Sequence, residues 1–287
     1  MFDSSHIGDS TGMFAPHTSY VVGDTDLFEA PRPRGDFRRQ KLGIYLLSNL
    51  FAASFMGNSS FVRDKRLVGL ARDKAISYTG ETFDQWDLDV LLHCAMRTAT
   101  TQNGIGKINV EPEKLLQDMQ LRNFEENRSR VYSSLFRLHT GSLLIEGNGY
   151  RYMTRLIDRV LLDQSKGRCL VEVNGDVVNA LRCERNLRLT LDRRYDYKRC
   201  GLAKWLHGVA MVFKGGFKAD VNSLHLLSGS SNRSRYIFPN LLRKALDMMG
   251  ENGVIDAWQL DGNKLMVFPR DRRRQDSACG FIVSGTL

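Results

Sequence analysis

The sequence lacks the spacings that most catalytic and metal chemistry requires. Its five cysteines, at positions 94, 169, 183, 200 and 279, form no CxxC and no disulfide framework, so reduced thiols are the simplest reading. There is no HExxH and no cysteine–histidine zinc spacing. There is no GxxxxGK[ST]: Gly104-Ile-Gly106-Lys107 has the wrong spacing and no Ser or Thr after the lysine, which reads as a turn. No apolar run reaches the ~18 residues that span a bilayer. The nearest, Ile44 to Met56, is too short, is interrupted by Ser and Asn, and lies far from the N-terminus for a leader. A cytoplasmic protein with no membrane contact is expected. No cofactor, no metal and no catalytic residue is expected. His93-Cys94 reads as packing on an apolar helix. Asp84, Asp87 and Asp89 cluster near a helix start, where the dipole favours them.

Acidic charge is also short. The 287 residues hold 41 Lys/Arg against 32 Asp/Glu, a net charge of +9. From Arg182 to Lys218 ten Lys/Arg face only Glu184, Asp192 and Asp196, which places +7 of the +9 in one segment. Such a balance suits a polyanion better than a small acidic substrate.

What is present is organised around Ala219 to Arg270. The pattern predicts a short helix from Val221 to Leu227, a Gly/Ser/Asn turn at 228–232, and a longer helix to about Met249. The longer helix buries Phe238, Leu241, Leu242, Ala245 and Met249 and shows Asn232, Arg233, Tyr236, Asn240 and Arg243 on its other face. Strands at Val254–Leu260 and Lys264–Phe268 follow, joined by Asp261-Gly262-Asn263. This is the order of a winged helix-turn-helix, whose second helix can enter a DNA major groove.

An earlier stretch repeats the order. Two strands are expected around Arg72-Asp73-Lys74, then a helix N-capped by Thr82 that runs to about Ala99 and buries Trp86, Leu88, Val90, Leu91 and Ala95. Lys107–Val110 reads as a strand, and Pro112 starts a helix to Met119. A second helix, Phe124 to His139, buries Phe124, Val131, Leu135 and Leu138 and is stopped by Gly141. A hairpin around Gly147-Asn148-Gly149 pairs Ser142–Glu146 with Tyr150–Leu162 and reads as the first wing. Arg168 to Val173 is one more strand. A long helix from about Leu191 to Phe213 opens the second unit. The fold class is therefore α+β, with two tandem winged helix-turn-helix domains. The expected layout is a flexible basic arm at 1–40, a first winged-helix domain at 41–180, a second at 181–270 and a tail at 271–287.

Four stretches carry a family resemblance: Ile76-Ser-Tyr-Thr-Gly80, Ser134-Leu-Phe-Arg-Leu138, Ser228-Gly-Ser-Ser-Asn-Arg233 and Gly253-Val-Ile-Asp-Ala-Trp258. Together, over about residues 45–270, the chain resembles the TrfA-type plasmid replication initiators. The resemblance implies binding of repeated origin sites (iterons), help in opening an adjacent AT-rich duplex, recruitment of the host replicative helicase and contact with the host initiator protein. It also implies a bacterial, plasmid- or nucleoid-associated location, and a homodimer in equilibrium with a monomer, the dimer shutting off its own promoter.

The residues expected to contact double-stranded DNA are Arg122, Asn123, Arg130, Ser133, Arg137, Asn148 and Arg151 in the first domain. In the second they are Arg193, Arg194, Lys198, Ser231, Asn232, Arg233, Tyr236, Asn240, Arg243, Asn263 and Lys264. Arginine pairs bidentately with guanine and asparagine with adenine, while wing-tip cations reach phosphate. Two other readings stay open: a winged-helix repressor with no initiator role, and a strand-nicking replication enzyme using Tyr195 or Tyr197.

Overall fold

The computed structural model describes residues 28–29, 46–55, 57–68, 75–100, 107–147, 150–163, 165–182, 192–213, 217–230 and 237–269. The first unit is built on helix α1, Gln85–Thr100. Asp84, not Thr82, caps it: its Oδ1 accepts from the Trp86 amide at 2.8 Å and the Asp87 amide at 3.3 Å. Thr82 instead precedes a two-residue strand, β5 (Phe83–Asp84), which pairs in parallel with β2 (Phe51–Ala52). Trp86, Leu88, Val90, Leu91 and Ala95 are all buried, and so are Asp87, Asp89 and Cys94, so α1 is enclosed on every side as far as Ala95 rather than on one face. Burial pushes the Cys94 thiol up to about 12 and the His93 imidazole down to about 4, so this pair is core packing.

From α1 the chain runs through β6 (Lys107–Val110), α2 (Pro112–Asp118) and α3 (Glu125–Thr140). Proline opens α2, as its fixed φ and missing N–H allow. Helix α3 buries Val131, Ser134, Leu135 and Leu138 against α1, whereas Phe124 is 57% exposed and stands outside the core.

The first wing lies elsewhere than the sequence pattern suggests. The run from Tyr150 to Leu162 is two strands, β8 (Tyr150–Thr154) and β9 (Ile157–Asp163), which join different sheets. β9 pairs with β10 (Arg168–Val173), and β10 pairs with β6, giving the order β6-β10-β9. This hairpin, turning through residues 165–167, is the wing. β7 (Ser142–Gly147) and β8 complete a separate antiparallel sheet with β3 (Phe61–Arg66) and β4 (Ala75–Glu81), in the order β3-β4-β7-β8. The outer strand β3 thus lies upstream of the expected 66–71. Tyr78 locks this sheet to the end of α3. Its hydroxyl donates to the Glu81 carbonyl at 2.5 Å, and a Cβ on either Gly80 (φ +147°) or Gly141 would overlap that hydroxyl. Gly141 therefore serves close approach rather than a left-handed helix stop; its φ is −69°.

The second unit repeats the scheme. After α4 (Gly175–Arg182) come α5 (Gly201–Val212), β11 (Phe217–Asp220), α6 (Val221–Leu227), α7 (Phe238–Glu251), β12 (Ile255–Asp261) and β13 (Lys264–Pro269). The sheet order is β11-β13-β12, with a two-residue strand, β1 (Phe28–Glu29), on the outer edge of β11. Both units thus read helix, strand, helix, helix, two-stranded wing, with the first strand paired to the last. The architecture is α+β, two winged helices in tandem.

The expected helix from Leu191 to Phe213 is broken. Residues 192–195 are helical, Lys198 takes φ +46°, and α5 begins at Gly201. A Cβ at Gly201 would stand 2.5 Å from the Ser54 carbonyl carbon, so glycine is required by a close approach of two backbones. Each unit has its own core. Residues 46–51 feed both: Leu46, Leu50 and Phe51 belong to the first and Leu47 to the second.

Candidate nucleic-acid interface

In the first unit the helix pair α2–α3 presents the ridge of α3 that faces away from the core: Glu126, Ser129, Ser133, Phe136 and Thr140, all exposed. Ser133 is on this ridge, its hydroxyl donating to the Ser129 carbonyl at 3.0 Å. Arg130 lies on the flank with its guanidinium 5.8 Å from the Trp86 ring. Arg137 is held differently. It is 15% exposed, and its Nη2 sits 2.6 Å from Asp87 Oδ1, which Ser134 also hydrogen-bonds. That carboxyl is pushed up to about 6, first by burial and then by neighbouring Asp84, against the pull of Arg137 and Ser134. One arm of the Arg137 fork is thus held by an internal partner, with the side chain largely buried rather than turned outward. At the start of α3, Arg122 and Asn123 are exposed; Asn123 accepts from Arg128 at 3.1 Å.

Relocating the wing relocates its contacts. Arg151 lies on β8 and pairs with Glu146 across the extra sheet, not on a wing. Asn148 falls outside the described residues. The wing tip is instead Ser165-Lys166-Gly167, with Gly167 at φ +57° and Lys166 exposed. Asp163 shapes the tip by accepting from the Ser165 hydroxyl at 2.6 Å and the Lys166 amide at 3.3 Å. Lys166 and the exposed Arg159 of β9 are cations that a sequence reading misses. Their signal is the Ser-Lys-Gly turn between two alternating strands.

In the second unit Asp220 caps α6, accepting from the Ser223 amide at 2.9 Å. The turn Ser228–Ser230 follows. Ser231, Asn232, Arg233 and Tyr236 lie outside the described residues, and α7 begins at Phe238 with Pro239 in its first turn. Asn240 and Arg243 are exposed on α7, with Arg243 donating to Asn240 Oδ1 at 3.0 Å; Leu241, expected in the core, is 37% exposed. The wing tip turns through Gly262 at φ +54°. Lys264 is exposed there, while Asn263 donates to Asp220 and so ties the wing to the start of α6.

The basic segment divides. Lys198 and Arg199 are exposed. Arg193 donates to the Gly253 carbonyl at 3.2 Å. Arg194 is not available to phosphate: it is 1% exposed, with Nε 2.5 Å from Asp89 Oδ1 and Nη2 donating to Gln85 Oε1 at 2.7 Å. Lys204, 2% exposed, pairs with the other Asp89 oxygen. Two of the ten cations thus neutralise one buried carboxylate, because a charge removed from water needs a partner. Tyr195 and Tyr197 are 5% and 0% exposed, and burial raises both phenols well above their ordinary value. Neither can attack a phosphodiester.

Among the described residues no group of His, Cys, Asp and Glu is placed to hold a metal ion, and no helix is long and apolar enough to cross a membrane. No family model matches the chain, and no curated protein matches it in sequence. Solved structures do. The fold resembles domains 2 and 3 of RctB. That structure has a TM-score of 0.56 and 11% identity over 81% of this chain and 98% of its own. A second structure of RctB domains 2–3 has a TM-score of 0.46 and 11% identity over 76% and 95%. A Pi initiator protein crystallised with iteron DNA has 0.45 and 12% over 73% and 100%. At these identities the RctB likeness is one of fold, and it covers both winged helices.

Proposed function

We propose that this chain is a non-catalytic, sequence-specific duplex-DNA-binding protein that initiates plasmid replication. In this reading it occupies repeated origin sites, helps open the adjacent duplex and recruits the host replicative helicase, with a host initiator protein as a further partner. The observation that carries the reading is the repetition of one winged-helix scheme twice in a net-basic chain. Each copy offers an outward helix and a wing with a basic residue at its tip, Lys166 in one and Lys264 in the other. An outward helix fits a major groove, and a wing-tip cation suits the flanking backbone. The four stretches that resemble TrfA-type initiators supply the origin and helicase parts of the proposal.

Within it, Arg233 and Asn232 read base edges, and Asn240 and Arg243 on the exposed side of α7 add to the contact. In the first domain the free candidates are Ser133 and Arg130, with Arg122 and Asn123 at the helix entrance. The two domains occupy one site together, in successive major grooves on one face. The test is footprinting of the protein across its own plasmid's origin. Regularly spaced protected repeats support the reading; uniform protection or none refutes it. Intact supercoiled plasmid after incubation with Mg²⁺ is expected, and a nicked product would contradict the non-catalytic part.

A further inference from the structure

The backbone from Leu46 to Phe55 runs between the two winged helices and touches the parts of each that matter. On the first-domain side, Gln85 Nε2 donates to the carbonyls of Phe51 at 2.9 Å and Ala52 at 3.3 Å, and the Gln85 amide donates to the Ser54 carbonyl at 3.0 Å. Asn49 exchanges two hydrogen bonds with Val68. On the second-domain side, the Ala53 amide donates to the Ser228 carbonyl at 2.7 Å. Ser228 is fully buried and forms the turn between α6 and the stretch that leads into α7. The next residue, Gly229 (φ +57°), lies so close that a Cβ there would stand 3.3 Å from Asn49 and 3.4 Å from Ala52. From behind, Gly201 packs on the Ser54 carbonyl. The buried cluster closes the loop: Asp89 of α1 holds Arg194 and Lys204 from the second-domain side, and Arg194 also grips Gln85.

We propose that Gln85 and Asp89 are positioning residues for the second domain's reading helix. Gln85 acts through residues 46–55 on the Ser228–Gly229 turn, Asp89 acts on Gln85 through Arg194, and together they fix the spacing between the two grooves that the protein reads. The inference rests on the bipartite reading above. A continuous hydrogen-bonded path joins the first domain's central helix to the second domain's helix-turn-helix corner. Two modules held so stiffly bind as one only when the DNA presents both grooves at the matching separation.

The experiment uses the full chain and the variant Gln85→Met, which keeps the volume and removes the polar links. Amide exchange is measured without DNA. Affinity is measured on the footprinted repeat and on the same repeat with five base pairs inserted at its centre. For the wild type, the insertion is expected to cost at least about tenfold in affinity. For Gln85→Met, the Ala53 amide loses protection while the amides of β12–β13 and β9–β10 keep theirs, and the insertion penalty falls below about threefold. An unchanged Ala53 amide together with an unchanged penalty overturns the proposal. A wild type that is indifferent to the insertion overturns the bipartite reading itself, while the exchange result still decides whether Gln85 holds the segment. If Gln85→Met does not fold, Gly201→Ala displaces the same segment from the opposite side, and the same two readouts apply.

Discussion

Asp89→Asn removes half of the charge balance at the centre of the molecule. Asp89 is fully buried, and its two oxygens hold Arg194 and Lys204, themselves 1% and 2% exposed. The amide keeps the shape but leaves two cations in the interior without a counter-charge. Breaking a buried pair from one side costs about 3–5 kcal/mol, because the remaining charge stays desolvated. At ~2–4 °C per kcal/mol for a chain of this size class, the melting midpoint should fall by roughly 6–20 °C. A thermal melt followed by circular dichroism reads this directly. An internal comparison sharpens it: Arg151→Ala breaks the exposed Arg151–Glu146 pair and should move the midpoint little. Replacing all three buried groups by apolar residues of similar volume should recover much of the loss, since the cluster's own net stabilisation is small. If Asp89→Asn melts within about 1 kcal/mol of the wild type, water reaches the cluster and the argument from burial fails.

Gly141→Ala should destabilise the first domain, because the new methyl meets the Tyr78 hydroxyl at 2.5 Å. Gly141→Ala combined with Tyr78→Phe should be measurably less damaged in the same melt. Stability should also fall on acidification below pH 6.5. Burial lowers His93 to about 4 and His207 to about 3, so the unfolded chain takes up their protons first. Asp87 works in the opposite sense. Its folded-state value is raised to about 6, so protonation between pH 6 and 4 favours the folded state, and Asp87→Asn should steepen the acid loss in denaturant titrations across that window. Binding to duplex DNA should weaken steeply with salt through counterion release, and Lys166→Ala at the first wing should reduce the slope of log K against log salt by about 1. An unchanged slope would place that tip away from phosphate.

The elements that were legible in the sequence are those whose signals are local. Helix α6 matches its expected bounds at both ends, because Asp220 caps it and a Ser-Gly turn ends it. The second wing was legible from Asp261-Gly262-Asn263 between two apolar strands, and the core face of α3 from the helical spacing of Val131, Leu135 and Leu138. The first wing was misread because Gly147-Asn148-Gly149 is a stronger hairpin signal than Ser165-Lys166-Gly167. The break at Arg155–Leu156, where the chain changes sheets, carries no glycine or proline. Strand pairing is a long-range choice, and local pattern does not record it. Arg194, expected on DNA, was misread for the same reason, and Lys204 was counted with it in the basic segment. Their partner Asp89 lies 105 and 115 residues away, and only the folded chain shows that these two cations face inward. Arg137, 50 residues from Asp87, is a third case.

The central claim is that two winged helices in one chain read a specific duplex sequence. Selection from a random duplex pool, followed by titration of the winning sequence against its scrambled version at physiological salt, tests it most directly. The account predicts a preference of at least about a thousandfold for the selected sequence. It also predicts that Arg233→Ala loses about 1–3 kcal/mol on that sequence and relaxes one base position. Equal affinity for the selected and scrambled duplexes, or no enrichment at all, would contradict it.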